Sequence, residues 1–197
     1  MSGHSRIATV LFGLAFALAP AAHGGTFEDG VSAHRRGDYV SAMSLWRQSA
    51  EQGNTLAQYD LGVMYANGEG VAQDYAEASR WYRLAAERGN VRAQSNLGVL
   101  YDKGQGVERN HAEAVKWFRL AAEQGNAPAQ YNLALAYAKG QGIAQDYVEA
   151  LKWFRLAEAG GYAGEAVFRG ILEDGMSHAD VAEAERRAES WKRARKK

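Results

Sequence analysis

The sequence AQYDLGVMYANGEGVAQDYAEASRWYRLAAERGN occupies residues 57–90, and closely similar sequences begin again at residues 93 and 129. The same residue types recur at steps of 36 in all three copies. The recurring residues include Leu61, Leu97 and Leu133, Tyr65, Tyr101 and Tyr137, Gly68, Gly104 and Gly140, Gly70, Gly106 and Gly142, and Trp81, Trp117 and Trp153. A fixed period of this length is typical of proteins built from stacked structural repeats. The sequence therefore divides into three full units, 57–92, 93–128 and 129–164.

The first helix of each unit is predicted from an apolar stripe. In the first unit Ala57, Leu61 and Tyr65 are four residues apart, so they fall on one side of a helix. Gly62 lies within this helix, where glycine costs about 1 kcal/mol relative to alanine, and Gly98 repeats it in the second unit. We expect these two glycines to allow a neighbouring helix to approach closely.

The second helix of each unit is predicted to begin with a capping box. In the first unit the Asp74 side chain accepts from the backbone N–H of Glu77, and the Glu77 side chain reaches back to the N–H of Asp74. The helix then ends at Gly89, a residue suited to a left-handed C-cap. Because one helical hairpin cannot bury so broad an apolar face, the hairpins must stack. The predicted fold is all-α, an α-solenoid of stacked antiparallel helix pairs.

This pattern resembles the Sel-one-like repeat (SLR) family, a branch of the tetratricopeptide (TPR) superfamily. Its motif, AxYxLGxxYxxGxGVxxDxxxAxxWyxxAAexGx, is matched nearly throughout by residues 57–90, with departures such as Ser95 for Tyr and Ala134 for Gly in the other units. The resemblance implies a right-handed superhelix that binds proteins or peptides on its concave face. It also makes residues 25–56 an N-terminal TPR-like capping repeat. Residues 165–197 become a degenerate half-repeat and a C-terminal capping helix with a basic tail, in which Trp191 seals the stack.

Residues 1–24 have the character of a secretory signal peptide. They contain Arg6, an apolar run at 7–18 and small residues ahead of Gly25. The run is shorter than the roughly 20 apolar residues of a membrane span, which favours cleavage over an uncleaved anchor. With the family analogy, this predicts a secreted, periplasmic protein.

Composition and motifs disfavour several functional classes. Lys+Arg and Asp+Glu number 23 each, so no overall positive field favours a nucleic acid partner. The absence of cysteine excludes disulfides, a thiolate nucleophile and a thiolate zinc site. The Gly-x-Gly turns lack the G-x-x-x-x-G-K-[ST] pattern and do not follow a strand, so nucleotide binding is not predicted. No metal or other cofactor is predicted either.

The remaining alternatives are an adaptor and an enzyme. An envelope enzyme of the β-lactam- or peptidoglycan-binding type is disfavoured by the absence of cysteine and of an S-x-x-K motif. The preferred interpretation is a non-catalytic, monomeric adaptor or scaffold in the cell envelope.

Partner-binding residues are predicted on the concave face, which the first helices of TPR-like pairs line. Tyrosine offers area with a polar tip, and asparagine can satisfy both donors and acceptors of a peptide backbone. The predicted residues are Tyr59, Asn96, Asp102, Lys103, Tyr131, Asn132 and Lys139. The basic tail, Lys192, Arg193, Arg195, Lys196 and Lys197, is either a solvated helix end suited to the helix dipole or a weak contact for an anionic partner or membrane surface.

Overall fold

The computed structural model describes residues 25–162, 164 and 166–195, and this part of the chain contains ten helices and no strand. The helices are α1 (Gly25–Arg35), α2 (Tyr39–Glu51), α3 (Thr55–Asn67), α4 (Tyr75–Glu87), α5 (Val91–Lys103), α6 (His111–Glu123), α7 (Ala127–Lys139), α8 (Tyr147–Ala159), α9 (Ala166–Asp174) and α10 (His178–Ala194). None of these helices has the length and apolarity that a membrane span requires. The predicted signal peptide, and Lys196 and Lys197 of the basic tail, lie outside the described residues.

The helices pack in consecutive pairs, which confirms the predicted all-α solenoid. The pairs α1–α2, α3–α4, α5–α6 and α7–α8 form hairpins, and the second helix of each of the first three packs against the first helix of the next. The core follows the repeat, because Leu61, Leu97 and Leu133 are each completely buried. The apolar stripe of each first helix thus forms one layer of a continuous core.

Close helix approach occurs at the mid-helix glycines, as predicted. A Cβ atom on Gly62 would lie 2.4 Å from the Tyr82 ring, and one on Gly98 would lie 2.6 Å from the Phe118 ring. Each glycine therefore leaves room for an aromatic ring of the second helix of its own pair.

The predicted capping boxes form only in part. Asp74 accepts from the N–H groups of Ala76, at 2.8 Å, and Glu77, at 3.0 Å. The predicted return bond is wrong, since the N–H of Asp74 donates instead to the Tyr65 carbonyl oxygen at 2.9 Å. This leaves the Glu77 carboxylate to pair with Arg80 at 2.7 Å. The turn ties the second helix back to the end of the first, so no glutamate is needed at that N–H.

The two glycines of each Gly-x-Gly turn do different things. Gly104 ends α5 in the left-handed conformation, with a φ of 68°. Gly106 also has a φ of 68°, but a Cβ atom there would lie 2.1 Å from the Tyr75 carbonyl carbon, in the preceding pair. Gly142 is in the same position against the His111 carbonyl oxygen, at 2.2 Å. The turn is therefore the place where one repeat touches the backbone of the repeat before it. We call this contact the turn seam.

Two ladders of hydrogen bonds also join successive pairs. In one, buried glutamines of the first helices donate to carbonyl oxygens at the end of the preceding second helix. These bonds are Gln58 to Ala50 at 3.0 Å, Gln94 to Ala86 at 3.1 Å and Gln130 to Ala122 at 3.1 Å. In the other, arginines of the second helices donate to a hydroxyl 18 residues later. These bonds are Arg47 to Tyr65, Arg83 to Tyr101 and Arg119 to Tyr137.

The C-terminal end departs from the regular pattern. Helix α10 packs directly against α8, and the Trp191 and Trp153 rings meet edge to face at 6.0 Å. Arg195 stacks over Trp191 and donates to the Glu123 carbonyl oxygen near the end of α6. Lys192 pairs with Glu189 at 2.9 Å. Part of the basic tail is thus already used within the molecule, and its contact with an external partner stays a prediction.

The recurring tryptophans are buried to different degrees. Trp153 is 4% exposed, whereas Trp81 and Trp117 are only partly buried and pack against the cores between neighbouring repeats. Their role in packing between repeats accounts for their recurrence at the repeat period.

Candidate functional site

The candidate site lies along one side of the first helices, which we call the first-helix face. In α3 it comprises Tyr59, Asp60 and Val63, which are all partly exposed. The equivalent residues are Ser95, Asn96 and Val99 in α5, and Tyr131, Asn132 and Leu135 in α7. Because residues three or four apart lie on the same side of a helix, these positions fall together on each first helix, although Ser95 is buried at 6% exposure.

Tyr131 is not part of the open surface. Its side chain is only 8% exposed, and its ring lies 5.4 Å from the rings of both Phe154 and Tyr162. Gly164 also lies directly against the ring. The Tyr131 ring is therefore almost inaccessible to a partner, and its contact with one stays a prediction. Tyr59, at the same repeat position, is partly exposed.

Tyr59, Tyr82 and Asn96 form a polar group where the first two SLR units meet. The Tyr59 and Tyr82 rings are 6.0 Å apart. Burial raises the pKa of the Tyr59 hydroxyl, and Asp60 raises it further, while Arg92 and the Asn96 side chain act in the opposite direction. Asn96 also acts on the Tyr82 hydroxyl, whose pKa burial raises strongly. Both phenols are therefore neutral, and Asn96 lies close enough to act on both of them.

A cavity of about 280 Å³ lies between α1, α2 and α3, and we call it the N-terminal cavity. Its lining comprises Val31, His34, Arg35, Trp46, Asp60, Val63, Met64 and Glu69. His34 and Glu69 are joined by a contact of 2.8 Å between Nε2 and Oε2. Burial alone would raise the pKa of Glu69, but hydrogen bonds from His34 and Asn67 outweigh it and hold that pKa below its ordinary value.

Asp60 is the carboxylate of this cavity that makes no hydrogen bond or ion pair with any described residue. Burial raises the pKa of its carboxyl to about 6, against weaker opposing effects of His34 and Arg92. The repeat motif did not point to His34, Trp46 or Glu69. His34 and Trp46 belong to the first helix pair, whose turn is shorter, and Glu69 is the middle residue of a Gly-x-Gly turn. Comparison of the units would have pointed to Glu69, since the equivalent residues are Gln105 and Gln141.

The structure brings three other predicted residues together in a smaller cavity between the second and third SLR units. Asp102, Asn132 and Lys139 line it with His111, and its volume is about 50 Å³. The His111 Nδ1 atom lies 2.9 Å from Asp102 Oδ1. Lys103, one residue from Asp102, is exposed and does not line this cavity. The involvement of all these residues in partner binding stays a prediction.

The glycine turns offer no approach to a phosphate. The space in front of Gly106 and Gly142 is filled by the backbone of the preceding pair. Among the residues that the structure describes, no three His, Asp or Glu side chains are placed to share a metal ion.

Comparison with known proteins agrees with this architecture. A sequence model of the Sel1 repeat, the SLR, matches residues 17–54, 55–90, 91–126 and 127–162. Among solved structures, the chain is 48% identical to a protective antigen present in uropathogenic Escherichia coli strains that displays an SLR fold. That match has a TM-score of 0.66 and covers 69% of this chain and 30% of the antigen.

A Sel1 repeat protein from Oxalobacter formigenes is 38% identical, with a TM-score of 0.65, over 68% of this chain and 56% of that one. The chain thus spans less than two thirds of either protein. No curated protein matched the sequence. Four matched repeats, each corresponding to a helix pair, lead to one assignment. The chain belongs to the Sel1 repeat family.

Proposed function

We propose that this protein is a non-catalytic adaptor or scaffold of the cell envelope that binds another protein or a peptide along the first-helix face. Sel1 repeat proteins generally mediate protein–protein interaction and are generally not catalysts. The choice of the first-helix face rests on one contrast within the repeats. The fully buried packing position holds leucine in all three units, as Leu61, Leu97 and Leu133, whereas the partly exposed position before it is Asp60 in the first unit and Asn96 and Asn132 in the next two.

The contrast is clearest in α3 and α5. Leu61 and Leu97 are identical and fully buried, while the neighbouring face residues Asp60 and Asn96 differ and are partly exposed. Stacking therefore constrains the leucines but leaves the face residues available for recognition, a division typical of solenoids with extended binding surfaces.

Site-specific photo-crosslinking tests this assignment in the cells that produce the protein. A benzophenone side chain would replace Asn96 on the face, and a matched variant would carry it at Lys116, whose side chain is 67% exposed on α6. We expect a defined crosslinked protein from position 96 that is absent from position 116. The same product from both positions, or none from position 96, would contradict the proposal.

Export is part of the proposal and is supported by the apolar run at residues 7–18. The first described helix begins at Gly25, so cleavage just before it would leave the stack of helix pairs whole. Cell fractionation with intact-mass analysis would test it. We expect a periplasmic species that begins between about Ala21 and Gly25, and a full-length protein in the cytoplasmic fraction would count against export.

The absence of catalysis has its own assay. Purified protein should neither hydrolyse a chromogenic β-lactam nor be labelled covalently by a fluorescent penicillin. Labelling that a single Ser→Ala substitution abolishes would overturn the non-catalytic assignment.

A further inference from the structure

We propose that the N-terminal cavity receives a lysine or arginine side chain of the protein partner, with the Asp60 carboxylate as its counter-ion. The proposal rests on the proposed function, because it names the chemistry that one part of the first-helix face recognises. It follows from the walls of the cavity, from the lack of a partner for Asp60, and from a comparison between repeats.

The walls of the cavity suit the hydrocarbon stem of a long basic side chain. The partly exposed Val31 and Val63 supply most of its apolar surface, and the largely buried Trp46 and Met64 lie behind them. Its volume of about 280 Å³ lies just below the range of about 300–1,000 Å³ usual for small-molecule sites. Basic side chains bury their methylene groups along apolar surface while the charged head keeps polar contacts.

One of the two carboxylates at the polar end of the cavity has no ion-pair partner among the residues that the structure describes. Glu69 is bonded to His34 and Asn67, both at 2.8 Å. The Asp60 carboxylate, in contrast, makes no hydrogen bond or ion pair with any residue that the structure describes. A carboxylate that is partly removed from water without a partner is unfavourable. A cation arriving from a partner molecule would supply the missing interaction.

The positive groups nearby do not satisfy Asp60. His34 faces it but is engaged with Glu69, and Arg92 is exposed and acts on it only at a distance. Arg35 lines the cavity and is exposed. None of these three groups forms an ion pair with Asp60. Its carboxylate therefore faces an open space with apolar walls.

The other repeats show that this combination is not required for stacking. The residues equivalent to Asp60 are Asn96 and Asn132, and those equivalent to Glu69 are Gln105 and Gln141. Both carboxylates of the first site are thus replaced by neutral amides in the next two. The cavity around Asn132 is also smaller, at about 50 Å³. Compared with this equivalent cavity of the third SLR unit, the N-terminal cavity has more room and carries carboxylates at two positions where amides stand.

Titration with blocked lysine, N-acetyl-lysine methylamide, tests the site without knowledge of the partner. Methyl NMR of the full mature chain should show shifts at Val31, Val63 and Met64. Blocked norleucine, which has the stem without the charge, should shift them at least tenfold less at equal concentration. Binding should also weaken as the pH falls through about 6, because burial raises the pKa of Asp60 to that value and a protonated carboxyl no longer attracts a cation.

Two variants make the result specific. Asp60→Asn installs the amide found in the next two repeats and should weaken blocked-lysine binding at least tenfold, while Asp174→Asn, at an exposed position at the end of α9, should leave it unchanged. Equal shifts with norleucine, or unchanged binding in Asp60→Asn, would overturn the proposal. If crosslinking at position 96 still captures a partner whose affinity Asp60→Asn does not alter, this inference fails and the proposed function stands. If nothing is captured, the proposed function fails whatever the blocked lysine does.

Discussion

Substitution of Gly106 by alanine should weaken the contact between the third helix pair, α5–α6, and the second, α3–α4. The new Cβ atom would lie 2.1 Å from the carbonyl carbon of Tyr75 and 2.4 Å from the backbone nitrogen of Ala76. Because both atoms are backbone, no side-chain rotation can relieve the contact, and the turn must lift off α4. Any non-glycine residue at a φ of 68° also carries a conformational cost of about 1–2 kcal/mol.

Gly89→Ala provides the matched control. Gly89 has a φ of 86°, but a Cβ atom there meets nothing within 4 Å. This variant should lose about 1–2 kcal/mol from conformation alone. Gly106→Ala should lose a further 1–3 kcal/mol, the range typical of overpacking. The difference between the two variants is the contribution of the turn seam.

Urea unfolding at 25 °C, followed by far-UV circular dichroism, measures both losses. We also expect the Gly106→Ala transition to broaden, because a solenoid with one weakened interface can unfold in two parts. Equal destabilisation by the two alanines, with unchanged cooperativity, would refute the role of the turn seam. The loss of stability would then come from the backbone conformation alone.

Three further predictions concern single side chains. Asp60→Asn should stabilise the protein at pH 7, because the pKa of the Asp60 carboxyl rises from 3.8 to about 6 on folding. This rise corresponds to a loss of folding free energy of about 3 kcal/mol at most, and of about 1–2 kcal/mol after solvent screening. Because the folded state binds the proton more tightly, this stability difference should shrink as the pH falls from about 6 to 4, and urea unfolding at both ends of that range would measure it. Gln94→Leu removes the donor to the Ala86 carbonyl oxygen and should cost about 1–3 kcal/mol in urea unfolding, since that oxygen is left unsatisfied; an unchanged midpoint would exclude the glutamine ladder as a stabilising contact. Trp191→Ala removes the ring that covers Trp153 and should cost about 2–4 kcal/mol, with faster amide hydrogen exchange in α8 and little change in α3; uniform acceleration along the chain would contradict a local capping role.

The repeat period predicted the helix pairs because each full unit packs in the same way. Leu61, Leu97 and Leu133 are buried in the three full units, so the same residue recurs and can be recognised in the sequence. The turn seam was not readable in this way. Gly106 and Tyr75 are 31 residues apart. Two glycines in a turn do not indicate which distant residue a Cβ atom at either position would contact. Likewise, Glu77 fits a capping box, but only the path of the turn shows that the Tyr65 carbonyl already accepts the bond.

The candidate site was less predictable because it depends on how units differ. Tyr59 and Tyr131 hold the same repeat position, yet Tyr131 is covered by Tyr162 and Gly164, which follow the last regular pair. Periodicity treats the two tyrosines as equivalent, and burial distinguishes them. The N-terminal cavity combines residues from a short-turn pair with Asp60 and Glu69 from the next, so its lining follows no single motif.

The turn seam has a consequence for how such a protein can change in length. The turn of each 36-residue block docks on a helix start in the pair before it, at Tyr39, Tyr75 and His111. Duplication or loss of a whole block therefore preserves every junction, whereas a partial insertion would disrupt one. The stack can therefore gain or lose first-helix face in whole steps without a redesign of its core.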